Sequence, residues 1–330
     1  MKGEALAVHE KTGIQVQVTE GGYTGLLNVA RHARKRYFRR QPPGTAPGGA
    51  AAPLQIVEVD LARLLADSQA GQLNPANAYQ RVCGTPPAAL QAGGDRALDG
   101  DENWAYFRVG KQEAARHLAA GTKLESAFGP RHLGAGPAGI AALNVHTGAL
   151  KYVVSVPFQI GHSQPTPWVP GELVFCWETG GKSPQRTWTV RADGSGLRPL
   201  YPEAPYEWVT HEAVISPDEV AIAIRGHRQV PASPQAVAAG TPVGGANPGQ
   251  EAAWAPSGTR EKPTGLGIVN WRTREMTIAG QTPSGRGRWH VSGSPDGRWA
   301  VGDDFARNSY LIDRHTHEMR LLSSRCRPTG

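Results

Sequence analysis

The sequence predicts an all-β fold, a β-propeller, and three observations carry that expectation. Turn formers are abundant, with 41 Gly and 27 Pro among 330 residues, which suits short strands and tight turns better than a helical bundle. One shape recurs: a strand, a short polar turn, then a second strand. Its copies stand about 43 to 47 residues apart where no insertion intervenes, as expected of four-stranded blades.

The hairpins are LNVHTGALKYVVSV from Leu143, TWTVRADGSGLRPL from Thr187, LGIVNWRTREMTIA from Leu266 and NSYLIDRHTHEMRLLS from Asn308. Apolar residues alternate along each arm, as half-buried strands require. Between them, SPDEVAIAI (from Ser216) and SPDGRWAVGD (from Ser294) each place a Pro-Asp turn before an inner strand. LQIVEVDLARLL (from Leu54), WAYFRVG (from Trp104) and ELVFCWET (from Glu172) read as further strands. A blade cannot bury both faces alone, so neighbours stack around a channel. The recurring tryptophans, Trp168, Trp177, Trp188, Trp208, Trp289 and Trp299, are expected in that packing. Residues 1–330 are read as one propeller domain, with Pro/Gly/Ala-rich insertions at about 41–53 and 230–256 that offer little to bury. KQEAARHLAA, from Lys111, is helical by propensity.

The formal net charge of +7 favours polyanionic partners. The sharpest basic run, RHARKRYFRR from Arg31 to Arg40, reads as a strand with a solvated basic face. No nucleic-acid-binding signature accompanies it, so no nucleic-acid partner is expected. No stretch approaches the roughly 20 apolar residues of a membrane span. Met1 to Gln17 carries charges throughout and lacks a signal-peptide core, so a soluble, cytoplasmic chain is the expectation. Cys83, Cys176 and Cys326 form neither a disulfide framework nor a zinc site.

Chemistry in a propeller gathers where loops of several blades converge. Four polar, aromatic-rich segments qualify: QIGHSQPTPW, CWETGGKSPQRTW, YEWVTHEAV and RWHVSGSPDG. They hold His162, Gln164, Lys182, Arg186, His211, Glu212 and His290. The stretch PFQIGHSQPTPWVPGELVFCWETGGKSPQRTWTVRADGSGLRPLYPEAPYEWVTHEAVI resembles the central portion of the oligogalacturonate lyases. The resemblance runs from Leu54 to Leu322 with insertions, is densest from Phe158 to Ile224, and rests on GHxQ, a PQRTW-like strand and a THE motif together.

That family implies a seven-bladed propeller that cleaves α-1,4-linked oligogalacturonides by metal-assisted β-elimination, in pectin catabolism. By motif position, His211 resembles the catalytic base and Arg186 the arginine that steadies the substrate. A neutral imidazole suits the first role and a bidentate guanidinium the second. His162, Gln164 and Lys182 are expected near the acidic substrate. The family binds a divalent cation, typically Mn2+, through three histidines and a glutamine. His290 matches the first ligand; the others are expected after Leu322, where the sequence reads SSRCRPTG and holds no HxH. His315-Thr316-His317 has that spacing but falls in a hairpin turn. TGIQVQVTEGG, from Thr12, reads as the outer part of a blade whose inner strands are absent. The expectation is a propeller incomplete at both ends, with about six blades and catalysis in doubt. The alternative is a non-catalytic TolB-like propeller that binds carbohydrate or protein.

Overall fold

In the computed structural model the described residues are 4–30, 32–41, 54–128, 132–179, 183–203, 207–228, 254–255, 265–280, 288–294, 296–304 and 307–324. They form a β-propeller of six antiparallel sheets. β1 (Leu6–Val8) and β2 (Gln15–Gln17) make a two-stranded sheet. The second sheet holds β3 (Tyr23–Ala30), β4 (Lys35–Arg40), β5 (Gln55–Asp60) and β6 (Gln80–Gly84). The third holds β7 (Gly93–Leu98), β8 (Trp104–Val109), β9 (Ala135–Asn144) and β10 (Leu150–Phe158). In the fourth are β11 (Ile160–Pro165), β12 (Glu172–Trp177), β13 (Thr187–Arg191) and β14 (Arg198–Pro199). The fifth contains β15 (Glu207–Ser216), β16 (Glu219–Arg228), a short β17 (Trp254–Ala255) on β16, β18 (Gly265–Asn270) and β19 (Met276–Gly280). The last holds β20 (Arg288–Gly293), β21 (Trp299–Asp304), β22 (Asn308–Asp313) and β23 (Met319–Ser324). Each four-stranded sheet runs in chain order, and the first strands β3, β7, β11, β15 and β20 touch one another in sequence.

Side chains alternate across each sheet and feed two different cores. Phe107 of β8 packs with Tyr37, Ile56 and Leu143, whereas its neighbour Tyr106 packs with Ile140, Phe158 and Phe175. In β16, Val220 and Ile222 join Val174 and Val269, while Ala221 joins Leu266 and Ile312. This two-sided burial explains the nearly continuous apolar runs of the middle strands. Each large side chain buried this way stabilises the stack by roughly 1.5–3 kcal/mol.

The two ends of the sheets differ. At one end three turns repeat a side-chain cap. Asn144 Oδ1 accepts from the backbone N–H of His146 and Thr147, both at 3.0 Å. Asn270 Oδ1 does so from Arg272 (2.9 Å) and Thr273 (3.1 Å), and Asp313 Oδ1 from His315 (2.9 Å) and Thr316 (3.1 Å). The residue four positions after each cap is left-handed: Gly148 at φ 73°, Arg274 at 68° and His317 at 62°. His315 and His317 therefore belong to an outer turn, as their place in the hairpin implied. The opposite end carries the connection that holds the helix α2 (Lys111–Arg116).

Some expectations change. LQIVEVDLARLL is a strand only to Asp60, whose Oδ1 then caps the helix α1 (Leu61–Gln69) by accepting from the Arg63 N–H at 2.9 Å. The expected helix at Lys111 ends at Arg116. The basic run enters β4, where Lys35 pairs with Glu58 at 2.8 Å and Arg40 donates to Gln55, so part of that charge is bound within the sheet. Most of the two insertions, and Cys326, lie outside the described residues. Cys83 and Cys176 are free and buried. Among the described residues no helix is long and apolar enough to cross a membrane.

Candidate active site

The inner strands share an irregularity at the end opposite the capped turns. In β11, Gly161 and Gln164 pair with Cys176 and Val174, so three steps on one strand face two on the other. The same surplus occurs in β15 between Val209 and Glu212 and in β20 between Arg288 and Val291. An extra residue bends the strand and re-aims its side chains, a device common beside active sites. Each of these three bulges carries one histidine: His162, His211 and His290. His162 is itself left-handed, at φ 42°.

The bulges assemble the imidazoles into a row. His162 stacks on His211 with ring centroids 4.9 Å apart and planes at 18°, and His211 meets His290 at 4.7 Å and 43°. Beneath the row lies an ionic network. His162 Nδ1 is 3.1 Å from Glu212 Oε1, and Arg186 Nε is 3.4 Å from Glu212 Oε2. Arg186 Nη2 also stands 3.7 Å from Glu178 Oε2, which is 4.0 Å from His162 Nε2. The Arg186 side chain is 3% exposed and that of Glu212 is fully buried. The other end of the row is open: His290 is 58% exposed, and its Nδ1 is held by Asp303 Oδ2 at 2.9 Å.

This environment drives neighbouring groups apart. Burial, the adjacent His162 and the Arg186 charge push the His211 imidazole down to about 4, so it is neutral at pH 7. For His162 burial acts downward, but the hydrogen bond and charge of Glu212 outweigh it and the shift is upward. Burial would raise the Glu212 carboxyl; Arg186 and His162 overcome it and hold it below its ordinary value. Glu203 supports Arg186 from behind, accepting its backbone N–H at 2.8 Å and the Thr187 hydroxyl at 2.6 Å. Burial pushes that carboxyl up to about 7.

The residues expected from sequence fall into four groups. His162, His211 and Arg186 come together in one cluster, with His290 against its exposed side. Gln164 does not face open space: its Nε2 donates to the Glu212 carbonyl at 2.7 Å and ties β11 to β15. Arg186 is sunk below the imidazoles with protein carboxylates as partners. Lys182 lies outside the described residues. Roles for Glu178, Glu212 and Asp303 were not legible in the sequence. Glu212 stood inside the THE motif, yet its task depends on Arg186, which is distant along the chain.

Several donors approach metal-binding spacing. One ligand atom each from His162, Cys176 and Glu212 lie within 4.8 Å of one another. The chemistry of that group opposes a divalent ion. Arg186 already supplies the positive charge there, and burial raises the Cys176 thiol well above its ordinary value, keeping it protonated. His290 is oriented by a carboxylate, as metal-bound imidazoles commonly are, but one imidazole does not hold a divalent ion. The described residues do not complete a metal site.

No family profile matches the sequence, and no curated protein sequence matches it. Solved structures do. An oligogalacturonate lyase in complex with manganese aligns with a TM-score of 0.56 at 14% identity, covering 97% of this chain and 84% of that one. An oligogalacturonate lyase from Vibrio parahaemolyticus gives 0.53 at 15% identity, with coverages of 97% and 84%. A prolyl endopeptidase gives 0.55 at 10% identity, covering 98% of this chain and 39% of that one. These likenesses establish the fold, a β-propeller of the kind seen in oligogalacturonate lyases. A propeller shared with a peptidase shows that the site must carry the functional argument.

Proposed function

We propose that the histidine row is the active site of a lyase that cleaves acidic oligosaccharides, α-1,4-linked oligogalacturonides, by β-elimination in pectin breakdown. The observation that carries this reading is the neutral His211 imidazole, held between two other imidazoles above a buried carboxylate–guanidinium network. In this reading His211 takes the C5 proton of the uronate, the C4–C5 double bond forms, and the C4–O bond breaks. His162, whose Nδ1 is fixed by Glu212, supplies a proton to the departing oxygen. Adjacent groups pushed toward opposite proton affinities suit an acid and base pair. Arg186 acts through Glu178 and Glu212, holding both carboxylates in place. Manganese, which the resemblance implies, would polarise the uronate carboxylate as a Lewis acid; no step here depends on it, and His290 is its one fitting ligand among the described residues.

The test is incubation with digalacturonate, with and without manganese, following the near-ultraviolet absorbance of the unsaturated product. Product is expected, and His211→Ala should lower its rate about 10²–10⁴-fold. Product formed equally by the His211→Ala variant would overturn the assignment of the base. That the described residues complete no metal site favours a second reading, a propeller that binds carbohydrate or protein without cleaving it; the oligosaccharide is the probe. Binding by calorimetry with no product at any manganese concentration would establish it.

A further inference from the structure

Beside the histidine row, between the inner strands β7 and β11, lies a cavity of about 240 Å³ lined by Gly94, Arg108, Ile160, Gly161, His162, Ser163 and Glu178. It shares His162 with the row, so the cavity adjoins the imidazole next to His211. We propose that this cavity is a carboxylate-binding subsite for the next sugar of an acidic oligosaccharide, with Arg108 as its cation; the proposal rests on the reading of the row as an oligouronide site.

Three observations carry it. Arg108 lines the cavity together with His162, and Arg186 Nη2 stands 3.4 Å from His162 Nδ1, but the two guanidinium groups are committed differently. Arg186 is 3% exposed and faces Glu178 and Glu212. Arg108 lines the cavity and donates from Nη1 to the Ile160 carbonyl at 3.1 Å, and among the described residues no carboxylate pairs with it. That bond fixes the planar group across the seam between two sheets and leaves further donors for a carboxylate, which a guanidinium can bind through two parallel hydrogen bonds. Second, glycines allow the strands to approach both charged walls. A Cβ at Gly161 would stand 2.9 Å from Glu178 Cβ, and one at Gly94 3.1 Å from Arg108 Cβ. Third, the lining also includes Glu178, whose carboxylate is an acceptor for sugar hydroxyls. A pocket lined by both a cation and an acceptor matches a uronate, which carries both a carboxylate and hydroxyls.

The experiment compares wild type, Arg108→Gln and Arg108→Lys by calorimetry with trigalacturonate and with its fully methyl-esterified form, alongside thermal melts and KM and kcat on the acid substrate. Arg108→Gln is expected to weaken trigalacturonate binding about ten- to a hundredfold, with a matching rise in KM and kcat within about twofold. Arg108→Lys should fall between, and the ester should bind all three proteins alike. An unchanged affinity in a folded Arg108→Gln protein overturns the subsite, as does equal loss of acid and ester binding. Binding that depends on Arg108 without any product would uphold the subsite while overturning the lyase reading. No binding of trigalacturonate by wild type would overturn the subsite.

Discussion

Glu212 and Asp99 are both buried carboxylates, and they lie at opposite ends of the propeller's sheets. Glu212 sits at the bulged end, facing Arg186 and His162, and those partners hold its carboxyl below the ordinary value despite complete burial. Asp99 follows β7 at the end of the capped turns. It accepts the Trp104 N–H and the Tyr106 hydroxyl, both at 3.2 Å, and burial with nearby Asp101 pushes it up to about 7. Of these two carboxylates, the one at the bulged end is held charged by its partners and the one at the turn end is pushed toward its neutral form. The bulged end keeps charge where chemistry can use it, while the turn end does the ordinary work of closing hairpins.

The comparison breaks most readily at Glu212. Glu212→Ala leaves the Arg186 guanidinium buried without its main partner and should cost about 3–5 kcal/mol of stability. Urea unfolding would measure it. A loss under about 1 kcal/mol would mean that the network contributes no more than a surface ion pair. Glu212→Gln keeps a hydrogen-bond acceptor for His162 and should cost less.

Asp99 sharpens the same contrast through pH. Its folded carboxyl titrates above the ordinary value of 3.8, near 7. Its stabilising contribution is therefore complete below about pH 4 and is lost as pH rises through about 7. Asn does not titrate, so Asp99→Asn should gain stability relative to wild type progressively between pH 4 and pH 8, by about 4 kcal/mol in all. Parallel melting curves at several pH values would show the divergence. A constant difference across that range would show that Asp99 is ionised throughout.

These two regions were not equally legible in the sequence. Turn chemistry is local: Asn144 to Gly148, Asn270 to Arg274 and Asp313 to His317 each carry cap and left-handed residue within one short stretch, so hairpins and blade spacing could be read directly. The alternating strands were legible for the same reason. The histidine cluster is not local. The motifs pointed to His162, Arg186, His211 and His290, but nothing in the chain announced that Arg186 would be sunk beneath the imidazoles. Arg108 was read only as part of the strand WAYFRVG, because its importance comes from a cavity formed with a different sheet. The bulges that turn three histidines toward one another are visible only in the pairing register. α1 is hard to read because LARLL continues the apolar run of the preceding strand, and a single Asp60 cap is a weak signal beside it.

The smallest effects belong to the turns, where three copies of one design allow a controlled test. Gly148 occupies its left-handed position without a Cβ, whereas Arg274 and His317 occupy theirs with one. The backbone cost of a left-handed side chain is about 1–2 kcal/mol. Arg274→Gly removes that cost at an exposed site and should stabilise the protein by about 1 kcal/mol, less than the full cost because glycine also loosens the unfolded chain. Gly148→Ala should destabilise by a comparable amount, with a further contribution because its Cβ would lie 3.2 Å from the Cys83 carbonyl oxygen. Opposite signs at equivalent positions, measured by denaturant midpoints, would show that the turns act independently of the bulged end. If either substitution also altered turnover at the histidine row, the two ends would be coupled through the strands that join them, and their separation in the structure would not be a separation in energy.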